Sequence, residues 1–170
     1  LAMMGGPMSV NDDLGWIPHV LDLIGASVDR GVPVIGHCLG GQMLAKALGA
    51  QVTHNPVKEI GWGNVRVEPG PLAAQWGPPQ SFLSYHWHGE TFSVPEGATR
   101  IWSSAYCANQ AFVLGPHLGM QCHIEMTAQL IDTWCETGAD EIAGSRSPAV
   151  QQPEQMRENV AAKLEALHAV

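Results

Sequence analysis

The chain has 170 residues, 45% of them hydrophobic, which is enough for one compact domain and too apolar for a disordered segment. Lys and Arg number 8 against 16 Asp and Glu, giving a formal net charge of −8. The few basic residues are scattered, so no patch tracks phosphates, and nucleic acid and anionic membrane surfaces are excluded as expected partners; no apolar run is long enough to span a bilayer.

The opening "LAMM" is a short apolar run stopped by Gly5-Gly6-Pro7, a loop signal. Ile17, Val20, Leu21, Ile24 and Val28 recur at helical spacing, so a helix is predicted over 14–30, ended by Gly31. "VPVIGHC" is a β-branched run that reads as a buried strand, followed by a helix over 39–48 ended by Gly49. The order strand, helix, strand, helix predicts parallel strands with covering helices. "VKEIGWGNVRVE" then alternates like an antiparallel strand, and "EPGPLAAQWGPPQ" reads as a Gly/Pro-rich loop. "SFLSYHW", "TRIWSSAY", "NQAFVLG" and "LGMQCHIE" are short strand candidates between turns. Helices are predicted over 128–136 and 154–169, the second with Met156, Val160, Leu164 and Leu167 on one face.

Cys38 stands where a strand turns into a helix, with Gly36 before it and Gly40 and Gly41 after it. Ligands gather outside the carboxyl ends of parallel strands. A helix N-terminus favours thiolate and supplies backbone N–H groups for an oxyanion. Cys38 therefore reads as a nucleophile on a sharp elbow, against the plainer reading of a small buried hydrophobe. In "GMQCHIEMT", His123 ends an apolar strand and Glu125 lies two residues on, so both side chains share a face. A carboxylate beside an imidazole fixes its tautomer and supports the imidazolium; the alternative is an ordinary ion pair. His86 and His88 are spaced to ligate zinc from a strand, or to line a pocket. Trp16, Trp62, Trp76, Trp102 and Trp134 read as core or pocket wall. The four cysteines, at 38, 107, 122 and 135, show no CxxC spacing, which fits a reduced compartment. The opening residues do not read as a secretory signal peptide, so a cytoplasmic protein is expected.

Together these segments resemble the class I glutamine amidotransferase family of the Cys-His-Glu type. "MMGGPMSV" resembles its oxyanion loop, and "PVIGHCLGGQMLAKALGA" its nucleophile motif G-x-C-x-G-x-Q. "YHWHGETFSVPEGA" is similar to the W-H-G-D-x-F-x-L-P-x-G segment of stand-alone, GMP-synthase-like members, and "GMQCHIE" to G-x-Q-F-H-P-E. The motifs follow in family order from residue 3 to residue 125. The resemblance implies an α/β, three-layer α/β/α sandwich with a mostly parallel central sheet, flavodoxin-like. It implies a single domain over 1–170 that lacks the N-terminal strand and helix usual before "LAMM". By the same resemblance Cys38, His123 and Glu125 are catalytic, and the backbone N–H groups of Gly6 and Leu39 form the oxyanion hole. Gln42, Trp87, His88 and Gly89 hold the substrate, and no metal or cofactor is implied. Three residues depart from the pattern: Ile124 replaces proline, Cys122 replaces phenylalanine, and His37 stands where an apolar residue is usual. His37 either perturbs the thiolate or sits in the core.

The leading expectation is a glutaminase that supplies ammonia from L-glutamine to an acceptor or synthase subunit, since the sequence carries no P-loop and no basic nucleotide cradle. Two others stand beside it: a γ-glutamyl peptidase or hydrolase using the same thioester chemistry, and a non-catalytic regulatory or interaction subunit.

Overall fold

The protein is described by a computed structural model covering residues 1–78 and 80–170. Pro79, inside the predicted Gly/Pro-rich loop, lies outside the described residues. Strand β1 (Ala2–Met3) leads through helix α1 (Trp16–Asp29) to strand β2 (Ile35–His37), and β2 leads into helix α2 (Leu39–Ala47). There follow β3 (Val52–Val67), β4 (Ser81–Phe92), β5 (Thr99–Ser104), β6 (Ala111–Leu114) and β7 (His117–Met120). The end of the chain holds α3 (Ala128–Thr137), α4 (Ala139–Gly144), β8 (Ala149–Val150), α5 (Pro153–Arg157) and α6 (Val160–Leu167). One sheet contains the strands in the order β1-β2-β7-β6-β5-β3-β4, with β8 beside β3.

The three layers are as expected for a flavodoxin-like α/β fold. On one face α1 and α2 bury Ile17, Ile24 and Leu44 against Phe92 and Phe112. On the other, α3, α5 and α6 bury Ile131, Met156 and Leu164 against Trp62 and Tyr85. The sheet itself is mixed. The pairs β1–β2 and β2–β7 are parallel, and so is β3–β8. The pairs β3–β4, β3–β5, β5–β6 and β6–β7 are antiparallel. The expected parallel pairing thus holds in the part built by α1 and α2, where a helical crossover returns the chain. Where only a tight turn is available, such as Gly115-Pro116 with Gly115 at φ 55, the next strand must run antiparallel.

The predicted C-terminal helix is two helices. Asn159 adopts φ 53 and breaks the ladder between α5 and α6, although Met156, Leu164 and Leu167 still face the core. The predicted loop after α3 contains α4 and β8, each too short to carry a periodic signal. Strand β7 stops at Met120. His123 therefore lies beyond the strand, not at its end, and is tied to Tyr85 on β4 through its backbone N–H at 2.8 Å.

Helix α2 lies unusually close to the parallel strands because glycines face it. A Cβ on Gly41 would stand 2.3 Å from the Met120 carbonyl oxygen, and one on Gly40 2.5 Å from that of Met3. Gly41→Ala should therefore destabilise the protein by about 1–3 kcal/mol through overpacking against backbone. Gly25→Ala, in the interior of α1 with nothing within 4 Å of the new Cβ, should stabilise it by about 0.5–1 kcal/mol. Chemical denaturation of the two variants checks both signs.

Candidate active site

The carboxyl ends of β1, β2 and β7 converge, as expected for a ligand site in a parallel segment. Each delivers one part of the site. Gly5 and Gly6 follow β1, Cys38 follows β2, and Gln121 and His123 follow β7. Cys38 adopts φ 51 and ψ −109, a conformation that L-residues rarely hold. Its backbone N–H donates to the Met120 carbonyl at 2.8 Å. This is the sharp strand-to-helix turn predicted from the flanking glycines. Leu39 is the first residue of α2, where backbone N–H groups have no intrahelical acceptor, while its side chain is buried in the core. Gly5 is pressed against the pair beneath it: a Cβ there would lie 2.9 Å from His123 Cε1 and 3.5 Å from Cys38 Cβ.

His123 is almost fully buried, and its Nδ1 lies 2.6 Å from Glu125 Oε1. Burial pushes the imidazole toward its neutral form. The neighbouring Cys38 thiol and the Glu125 carboxylate outweigh that and hold its pKa up at about 9. Glu125 is held well below the usual carboxylate range: burial raises it, and the imidazoles of His123 and His37 lower it by more. His37, expected either to perturb the thiolate or to sit in the core, is buried and turned toward Glu125. Its Nδ1 lies 2.9 Å from Glu125 Oε2, although the two atoms are poorly aligned for a hydrogen bond. One carboxylate thus lies between two imidazoles. The ring of Trp134 meets His123 edge-on at 4.9 Å and closes the other side.

These groups open into a cavity of about 710 Å³ lined by Gly5, Gly6, Cys38, Gln42, Trp87, His88, Gly89 and His123, among others. Of the residues predicted for the site, Leu39 and Glu125 do not reach its wall: Leu39 offers only backbone, and Glu125 stands behind His123. The Trp87 carbonyl faces Cys38 Sγ at 3.7 Å. The His88 imidazole points away from the cavity, with Nε2 at 3.0 Å from Glu59 Oε2 and Nδ1 at 2.9 Å from the Glu90 carbonyl.

The zinc reading of His86 and His88 finds other partners for both rings. His86 Nε2 faces the Gly63 carbonyl at 3.3 Å, and burial lowers its pKa to about 4. Donor atoms of Glu59, His88 and Cys107 do lie within 4.8 Å of one another. Glu59 Oε2, however, already accepts from Gln110 at 2.8 Å, its Oε1 accepts from Ser104 at 2.9 Å, and Cys107 contacts Thr91 Oγ1 at 3.2 Å. The cluster is a hydrogen-bonded polar core.

Several site residues were not singled out by the sequence. Gln121 donates to Cys38 Sγ at 3.5 Å and accepts from Gln42 Nε2 at 3.1 Å; its spacing of two from His123 is the signal that would have marked it. Lys58 and Glu141 also line the cavity, and no local pattern marks them; Trp134, read from the sequence as core or pocket wall, lines it too.

A family model described as glutamine amidotransferase class-I matches residues 1–135. The chain is 32% identical over 156 residues to the glutamine amidotransferase-like protein YfeJ of Salmonella typhimurium, covering 86% of this chain and 64% of that protein. It is 35% identical over 112 residues to the GMP synthase [glutamine-hydrolyzing] of Mycobacterium marinum, covering 66% of this chain and 20% of that protein. The chain therefore spans less than two thirds of either relative. A glutamine amidotransferase structure from Methylobacillus flagellatus superposes with TM-score 0.95 at 45% identity, over 99% of this chain and 70% of that one. One from Thermotoga maritima superposes with TM-score 0.87 at 31% identity, over 99% and 73%.

Burial pushes up the thiols of Cys107 and Cys135, and that of Cys122 to about 12. At neutral pH, substoichiometric iodoacetamide should therefore carboxamidomethylate Cys38 alone, with the other three reacting only in denaturant. Peptide mapping reads the site, and modification spread evenly over the four cysteines contradicts the expectation.

Proposed function

The chain belongs to the glutamine amidotransferase class-I family, and from that premise we propose that it hydrolyses the side-chain amide of glutamine at Cys38. The observation that carries this reading is the strained Cys38 elbow at the start of α2, packed under Gly5 beside a buried His123 that is itself held by Glu125.

The Cys38 thiolate attacks the amide carbon. The oxygen of the tetrahedral intermediate takes the negative charge between the backbone N–H groups of Gly6 and Leu39, donors of the kind that stabilise such an oxyanion. As the C–N bond breaks, the His123 imidazolium gives its proton to the departing nitrogen and ammonia leaves. A γ-glutamyl thioester on Cys38 remains. Neutral His123 then takes a proton from water, the resulting hydroxide attacks the thioester, and glutamate leaves with Cys38 again a thiolate. Glu125 supports the imidazolium through both steps. Gln42 and the backbone of Trp87, His88 and Gly89 line the substrate beyond its amide. Relatives named as GMP synthases support a synthase partner that consumes the ammonia.

A second reading, hydrolysis of a larger γ-glutamyl amide, is favoured by the cavity of about 710 Å³. That size falls in the range that holds drug-sized ligands, roughly 300–1,000 Å³, and exceeds what glutamine fills. The thioester step is the same, and only the leaving amine differs. Release of glutamate from glutamine and from a panel of γ-glutamyl dipeptides decides between the two. No release from any of them contradicts the enzymatic reading.

His123→Ala should lower kcat/KM by roughly 10²–10⁴-fold, the usual contribution of a general acid–base group, and Glu125→Ala by less, because the imidazole remains. Loss of turnover in His88→Ala with retention in His123→Ala reverses the assignment. The His123 proton is held to about pH 9, so kcat/KM should fall as pH rises through that value. In Glu125→Gln a partner that holds the proton is weakened, so the alkaline fall should move to lower pH. A pH–rate profile of both forms checks the direction.

A further inference from the structure

Apart from the groups already given roles, the cavity wall carries one charged pair with no assigned function. Lys58 on β3 pairs with Glu141 Oε1 on α4, and Glu141 Oε2 accepts from the indole N–H of Trp87 at 2.9 Å. Lys58 is the one lysine or arginine lining the cavity among the described residues. It falls in the β3–β4 register shift between His54 and Glu59, and such irregularities re-aim side chains. Glu59, next in sequence, points into the core, whereas Lys58 lies over Gly89, where a Cβ would stand 3.1 Å from Lys58 Cε.

We propose that Lys58 and Glu141 are the recognition pair for a zwitterionic α-amino-acid head group, Lys58 taking the α-carboxylate and Glu141 the α-ammonium. This rests on the glutamine reading of the same cavity and names what selects the substrate there. Trp87 sets the distance. Its carbonyl stands 3.7 Å from Cys38 Sγ while its indole tip reaches Glu141. Trp87 thus touches the nucleophile at one end and the charged pair at the other, and all four residues line the same cavity, so a ligand whose reacting end meets Cys38 can extend its other end toward Lys58 and Glu141. The side chains of Lys58 and Glu141 are 37% and 40% exposed, and an ion pair so placed is weak in net terms. Either charge can exchange its partner for a substrate group, while the Trp87 bond keeps the Glu141 carboxylate in place. The other cavity carboxylate, Glu90, is engaged by Ser9 Oγ at 3.0 Å on the loop after β1.

The test compares two alkylating agents on Cys38 in the full chain and in Lys58→Met, Lys58→Arg and Glu141→Gln. The reagent 6-diazo-5-oxo-L-norleucine carries the amino-acid head, and iodoacetamide does not. The second-order rate with the diazoketone should fall roughly ten- to a hundredfold in Lys58→Met and Glu141→Gln, the range for losing a charged hydrogen bond. Lys58→Arg should recover most of that rate. The iodoacetamide rate should stay within about twofold in all three, as for surface substitutions that leave the fold intact. A parallel fall with both reagents makes the pair structural and overturns the proposal, as does a diazoketone rate that does not change. A loss that follows Glu90→Gln and spares Glu141→Gln overturns the assignment of the carboxylate. Failure of the unsubstituted chain to react with the diazoketone, while iodoacetamide still modifies Cys38, overturns the glutamine reading itself.

Discussion

The close approach of α2 to the backbone of β1, β2 and β7 sets the geometry of everything around it. A Cβ on Gly36 would stand 2.3 Å from the Gly40 carbonyl oxygen, and Gly40 and Gly41 are equally confined. With three hydrogens in place of three methyl groups, the helix starts immediately above the strand ends. The chain must then reverse within one residue, and that residue is Cys38, at φ 51. Its backbone N–H is bonded to Met120, so the elbow is held to the strand that leads to Gln121 and His123. The strain at Cys38 is confined by these contacts, and the same contacts place the thiol against the imidazole.

The electrostatics follow from where Glu125 stands. A buried imidazole alone would lose its proton. His123 keeps it because Cys38 lies on one side and Glu125 on the other. Glu125 is itself 22% exposed, so water shares the cost of its charge while both oxygens face imidazoles. His37 is part of this arrangement because it occupies the strand position just before the nucleophile. Gly36 faces α2, so His37, next along the strand, faces the α3 side, where Glu125 arrives after β7.

Strand β4 joins two chemistries that share no atoms. Tyr85 and Trp87 face the helices, where Trp134 packs against both rings and against His123. His86 and His88 face the polar core around Glu59 and Gln110. The backbone between them, from Trp87 to Gly89, lines the cavity and is fixed from both faces. The hydrogen bonds that Glu59 makes with His88, Ser104 and Gln110 brace this wall from behind.

The sequence by itself determined the parts whose signals are local. The apolar runs and glycine stops marked β1, α1, β2 and α2 closely, and the glycines around Cys38 marked the elbow, because the backbone restrictions that create it act within a few residues. The His123–Glu125 spacing marked the imidazole–carboxylate pair, and the order of the motifs linked it to Cys38. Tertiary structure alone decided the rest. Whether a strand runs parallel or antiparallel depends on the partner it meets. The C-terminal helix divided at Asn159, although its apolar periodicity is continuous. The partnership of His37 with Glu125 joins residues 88 positions apart by number, and that of Lys58 with Glu141 joins residues 83 apart. No periodicity or propensity records such contacts. They exist only once β3, β7 and the helices that follow have packed, because a pairwise charge interaction depends on distance in space and not along the chain.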